Sequence, residues 1–318
     1  NYIHNAENDH ESAFQSLNEI NILKNSDLDE DWSIRALYQE LFTYRLASLY
    51  DPALGVFESL LQKANAAGSK RYICFSYHEM GYIEINNGAL SAALEYFEKA
   101  LPLCEDSGHV TALASARAGY ARALLKNDQP DKSREQLQRV LRQGIKSAGN
   151  RIVQSYAHAH MALANLALQA NSAAQTHALR ALELSNDFAS TFTQRFAYEA
   201  LYRIARAEER FEDALAYHEQ YLEAQQAFAD DQRARQTAYQ QIRFESARKD
   251  REIVTLNQQN RVLSLENRVA RQERQQLYVL TAAIALILFL LSLLLIRTRR
   301  QNARIRDLAA EAERANRA

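Results

Sequence analysis

The side chains best suited to chemistry are few. His158 and His160 flank Ala159 and offer two imidazoles, but residues two apart on a helix point to different faces, and no acidic or cysteine neighbour stands at ligand spacing. No metal site is expected. The chain contains no glycine-rich phosphate loop, no His-Glu-x-x-His pair and no Gly-x-Ser-x-Gly elbow. It therefore presents no recognisable active site and implies no cofactor. Cys74 and Cys104 are the only cysteines. A net charge of −1 gives no electrostatic case for nucleic acid, because phosphate contacts need a basic surplus.

With no catalytic constellation, function must come from how larger elements are arranged. Three prolines and eight glycines in 318 residues, with abundant Ala, Leu, Gln, Glu and Arg, point to an almost wholly helical chain. A small-x-x-x-large-x-x-apolar pattern recurs as Ala13/Leu17/Ile20, Ala53/Phe57/Leu60, Ala93/Phe97/Ala100, Ser133/Leu137/Val140, Ala174/Ala178/Ala181 and Ala214/His218/Tyr221. Its first residue steps by 40, 40, 40, 41 and 40. A regular period of this length marks a repeat array.

The clearest unit runs from Cys74 to about Ser107, with Tyr77, Met80, Gly81, Gly88, Ala93, Phe97 and Ala100 at its marked positions. It resembles the tetratricopeptide repeat, a pair of antiparallel helices in which a small residue lets the backbones approach and an aromatic fills the next gap. Tyr77, Met80 and Glu84 stand where that family prefers Trp, Leu and Tyr, and the 40-residue interval exceeds the family's usual 34. Five full hairpins are expected, beginning near Ile34, Cys74, Ala114, Ser155 and Arg195. Residues 10–24 look like the second helix of a sixth. The expected fold is all-α: a tetratricopeptide-like helical-hairpin solenoid over 1–229, a long stalk helix over 230–276, a transmembrane helix over 277–296 and a stub over 297–318.

The resemblance implies a concave groove lined by the first helix of each hairpin. Carried across residue by residue, its groove positions are Arg35, Tyr38, Phe42 and Arg45, then Phe75, His78, Tyr82 and Ile85. Later repeats add Arg122, Tyr156, Leu163, Phe196, Glu199, Arg203 and Arg206. Aromatics beside arginines suit a peptide, a carboxylated ligand or another helix. At any single position packing between repeats is the competing role. Cys74 and Cys104 would begin the first helix and end the second helix of one hairpin, two ends that antiparallel packing brings together. They are either a disulfide or two buried thiols.

Residues 277–296 contain no charge and no helix breaker, and their length of roughly 30 Å matches a bilayer core. Arg297, Arg299, Arg300, Arg304 and Arg306 follow the run, against Arg268, Arg271 and Arg274 before it. This asymmetry places the stub in the cytoplasm and the repeats in the periplasm of a bacterial inner membrane. No signal peptide is legible from Asn1, so an export signal is expected upstream. In the stalk, Ile253, Leu256, Asn260, Leu263, Asn267 and Ala270 fall on alternating three- and four-residue steps, the seam of a parallel dimer. A single helix lying back on the solenoid would use the same positions with Val262, Leu265 and Val269. The spacing resumes at Ile305, Leu308, Ala312 and Ala315.

The last residues, Leu308 to Ala318, resemble the segment leading into the dimerisation and phosphoacceptor domain of bacterial sensor histidine kinases. The resemblance implies a periplasmic sensor that binds a peptide, small ligand or envelope protein and relays binding through a dimeric helix. Any kinase active site would lie outside this chain. The same front end would also serve a diguanylate cyclase, or a membrane-tethered scaffold for envelope protein assembly.

Overall fold

The computed structural model describes residues 30–143, 148–185 and 190–315. Among these residues the elements are all helices: α1 Glu30–Leu46, α2 Tyr50–Ala66, α3 Lys70–Asn87, α4 Leu90–Asp106, α5 Val110–Lys126, α6 Pro130–Arg142, α7 Ala148–Ala167, α8 Asn171–Ser185, α9 Thr191–Ala207 and α10 Phe211–Ala315. Second helices start at Tyr50, Leu90, Pro130, Asn171 and Phe211, so the 40-residue period read from the sequence is the period of the fold. The pattern at Ala13, Leu17 and Ile20 lies outside the described residues.

The repeating signature is buried where neighbouring helices meet. Ala53, Leu60, Ala93, Ala100, Leu137, Ala174, Ala178 and Ala181 have no exposed surface. Small residues at these positions let helix axes approach, and larger ones fill the next gap. Phe97 shows the device most clearly: a Cβ added at Gly81 would stand 2.7 Å from its ring, and one added at Gly119 would stand 2.5 Å from it. The ring of α4 is thus received by two bare stretches of backbone, on α3 and α5.

Every described turn contains one left-handed residue: Ser48, Gly68, Gly88, Gly108 and Asp128 stand twenty apart, and Gln169 and Glu209 follow at steps of 41 and 40. The chain then folds back so that a later amide reaches the carbonyl five residues earlier: Leu49 N–H to Tyr44 O, Gln129 to Leu124 and Arg210 to Ala205, each at 2.9 Å. These bonds satisfy carbonyls that the helix ends leave open. Cys74 and Cys104 are bonded to each other across α3 and α4, with Cα atoms 5.0 Å apart, and both are fully buried.

The compact unit that holds the repeats runs to Ser246, and Ala247–Ala318 forms a second. The sequence reading ends the repeat region at 229. In the structure residues 238–242 still pack with the repeats, where Tyr239 and Ile242 join Ala47, Tyr44 and Leu49. In the second unit the stalk residues are exposed, Ile253, Leu256 and Leu263 by half or more. Among the described residues α10 is the helix long and apolar enough to cross a membrane.

Two substitutions test this framework. Gly119→Ala should cost about 1–3 kcal/mol by overpacking the Phe97 pocket, and the cost should shrink in a Phe97→Leu background when both are followed by urea unfolding. Gln169→Gly removes the penalty of a β-carbon in a left-handed turn and should stabilise by about 0.5–1 kcal/mol in the same assay.

Candidate functional site

The first helices of the hairpins build the inner face. On its first repeats Arg45 forms an ion pair with Glu79, whose side chain is only 1% exposed. Removing one member of so buried a pair would strand the other. Tyr38 packs on Phe75 at 4.7 Å between ring centroids and on Phe42 at 6.3 Å, and Arg45 lies over Phe42 and Tyr82. His78 Nε2 lies 2.9 Å from Ser115 Oγ, and the Tyr82 hydroxyl donates to the Ser115 carbonyl at 2.9 Å. Burial holds the His78 pKa below its ordinary value, against the pull of Glu79. This half of the face is cross-tied.

Farther along, the cations sit on rings instead of carboxylates. Tyr156 stacks on Phe192 at 5.5 Å with the rings nearly parallel. Arg122 lies over Phe192 at 5.2 Å, and Arg195 lies 4.4 Å from the ring centroids of both Phe196 and Phe228. Arg122 is buried and donates to Asn86 Oδ1 at 3.3 Å, while its Nε and that of Arg195 have no hydrogen-bond partner. His160 is wedged between Tyr156 and Phe196 at 4.3 and 4.7 Å. Burial, then the charges of Arg122, Arg195 and Lys126, push its pKa well down, so the ring is neutral.

Arg45, Asn86, Arg122, Arg195, Phe196 and Phe228 help line a cavity of about 480 Å³, within the range of small-molecule sites. Of the groove residues expected from the sequence it collects Arg45, Arg122 and Phe196, with Ile85 and Glu199. Tyr38, Phe75, His78, Tyr82 and Tyr156 stand outside its lining, tied into the packing between repeats, and Phe42 also stands outside it, against Tyr38 and Arg45 of its own helix. Arg35 is exposed and pairs with Asp31 at 2.6 Å. Arg203 reaches Glu199 at 3.5 Å and Arg206 reaches the Tyr202 hydroxyl at 3.4 Å, both at the surface and outside the lining. Asn260, Asn267 and Ala270 belong to the exposed stalk.

The lining also includes residues the sequence reading did not select. Lys126 and Arg195 are two of them, and α10 supplies Tyr221, Gln225, Phe228 and Gln232. Burial lowers the pKa of both cations, and Arg122 lowers each further. Gln232 donates to Ser48 Oγ at 3.0 Å, and Tyr239 meets Tyr44 edge-on at 5.5 Å. The beginning of α10 therefore reaches from the last repeat to the first described one. A signal was present: Tyr221 and Phe228 are seven residues apart, so they share one helix face.

His158 does not act with His160. It turns to His177 of α8, Nδ1 to Nδ1 at 2.8 Å, so at least one ring is neutral. Burial first, then His177 and Arg180, lowers the His158 pKa to about 4. Among the described residues no three His, Cys, Asp or Glu side chains converge as metal ligands.

No family model and no curated protein matches the chain. Its structure is similar to that of BtubC (BKLC) from P. vanneervenii, with a TM-score of 0.52 and 14% identity over 70% of this chain and 92% of that one. It is also similar to the TPR-like repeats designated kinesin light chain in Podosopora anserina, with a TM-score of 0.47 and 15% identity over 62% and 97% of the two chains. A third likeness is to a Signal Transduction ATPase with Numerous Domains with a tetratricopeptide repeat sensor from Pyrococcus horikoshii. Its TM-score is 0.47 and its identity 14%, and this chain covers 38% of its length. The likeness to BtubC is one of fold, and helix pairs stepping by about forty residues make the chain an array of repeated hairpins.

His158 has a pH signature. Its folded-state pKa lies near 4, whereas the unfolded imidazole titrates near 6.5, so the unfolded chain binds more protons between these values. Its contribution is full above about pH 6.5 and is lost as the pH falls through that window. Urea unfolding at about pH 7.5 and about pH 4.5 should show a loss of stability that shrinks in His158→Gln.

Proposed function

We propose that the chain is the sensing and transmission part of a membrane-bound receptor. In this reading the repeats lie in the periplasm, α10 crosses the inner membrane once, and residues 297–318 lead to a histidine protein kinase. One observation carries it: α10 supplies residues 221–232 to the cavity and also bears the charge-free run 277–296. A ligand touching the former touches the helix that contains the latter. The excess of arginine after the run supports the orientation.

Transmission requires two chains. The seam of Ile253, Leu256, Asn260, Leu263, Asn267 and Ala270 supports a parallel homodimer, and its two asparagines weaken the seam while fixing its register. A weakly held seam suits a switch, because a modest binding free energy then shifts the balance between two packings. The tetratricopeptide-like array suits a partner protein or peptide as well as a small ligand.

Cysteine crosslinking of the full chain in membranes tests the dimer. Leu256→Cys and Leu263→Cys should each give a covalent dimer, and Gln258→Cys, on the opposite side of the heptad, should not. Equal crosslinking at all three positions, or none at any, would remove the seam from the reading.

A further inference from the structure

Four cations reach the cavity, Arg45, Arg122, Lys126 and Arg195, and only the first is neutralised, by Glu79. Among the described residues no carboxylate lies within ion-pair distance of the other three. Glu199, the acidic residue in the lining, pairs with Arg203 at 3.5 Å and offsets the charge of Arg195 only from beyond ion-pair distance. Like charges gathered in a partly dry site repel one another, and the lowered pKa values of Lys126 and Arg195 record that repulsion after burial. The Nε of the buried Arg122 has no hydrogen-bond partner. A site with this surplus, an unused donor and aromatic walls is built to receive negative charge.

The kind of anion follows from what covers the face. Gln232 bonded to Ser48, with Tyr239 and Ile242 packed on Ala47, lays the start of α10 along the cavity. An extended peptide or a partner helix would have to displace this segment, whereas a small molecule need not. We propose that the cavity binds a small polyanion, carrying two or more carboxylate or phosphate groups, through Arg122, Lys126 and Arg195. The bound anion also meets Gln225 and Phe228 of α10. This deepens the receptor reading by giving its ligand a class, while the binding step itself requires neither the dimer nor the membrane.

Titration calorimetry on the full chain in detergent, at constant ionic strength, tests it with four probes: citrate, inorganic pyrophosphate, acetate and an acidic peptide. Citrate or pyrophosphate should bind saturably, one per chain, and whichever is preferred assigns carboxylate or phosphate chemistry. Arg122→Gln and Arg195→Gln should each weaken that binding about tenfold or more, equivalent to about 1.4 kcal/mol, and Arg35→Gln should leave it unchanged. Acetate should not bind at the same concentration. Gln225→Glu covers the event that an arginine variant misfolds. It supplies the missing carboxylate from α10, so it should raise the melting temperature without ligand and abolish polyanion binding. No saturable binding of either polyanion, binding of the peptide alone, or undiminished binding to folded Gln225→Glu would each overturn the proposal. A positive titration alongside failed crosslinking at Leu256 and Leu263 would retain the site and discard the dimeric relay.

Discussion

A helix hairpin can stack on another only if each turn returns the chain at the same angle after the same number of residues. Here a left-handed residue meets that condition in each described turn, whether it is Gly68, Gly88, Ser48 or Glu209. The turn fixes which helix face comes next, so Ala53, Ala93 and Ala174 arrive at equivalent places and each backbone approaches its neighbour closely. Everything on the inner face inherits this register. A shift of one residue would rotate Arg122 by about 100° and take it out of the cavity.

The same face treats charge in two ways. Arg45 is bound to a buried carboxylate and belongs to the architecture. Arg122 and Arg195 instead lie over Phe192, Phe196 and Phe228, rings that attract a guanidinium without cancelling its charge. Aromatic support therefore holds these side chains in place and leaves their field available. Carboxylates in the same positions would hold them as firmly and silence them. The disulfide between Cys74 and Cys104 strengthens the paired half of the face, in the hairpin that also carries His78, Glu79 and Tyr82.

The repeat length and helix order were legible in the sequence because burial recurs at a fixed interval, and small residues at Ala93 or Ala174 can be read without knowing their neighbours. The site was only partly legible. Groove positions borrowed from the first helices reach Arg45, Arg122 and Phe196, but equivalence by position cannot say which aromatics are consumed by packing, as Tyr38 and Phe75 are. Arg195, legible only as the start of a hairpin, is not a groove position in the sequence because its place depends on Phe228, more than thirty residues on, and Phe228 belongs to a helix whose later heptads suggest a stalk. A pairing between the first repeat and residues 232–242 has no local signature. It exists only once the intervening hairpins have turned the chain through their full course.

That pairing alters the thermodynamics of the array. An ordinary solenoid has free ends, its units coupled only to nearest neighbours, and it loses structure first at its termini. Tyr239 and Ile242 against Ala47, with Gln232 against Ser48, give this array a contact between the first and last of its described hairpins. Release of α1 then requires losses at the start of α10, so cooperativity that a solenoid normally confines to adjacent repeats extends across the described hairpins.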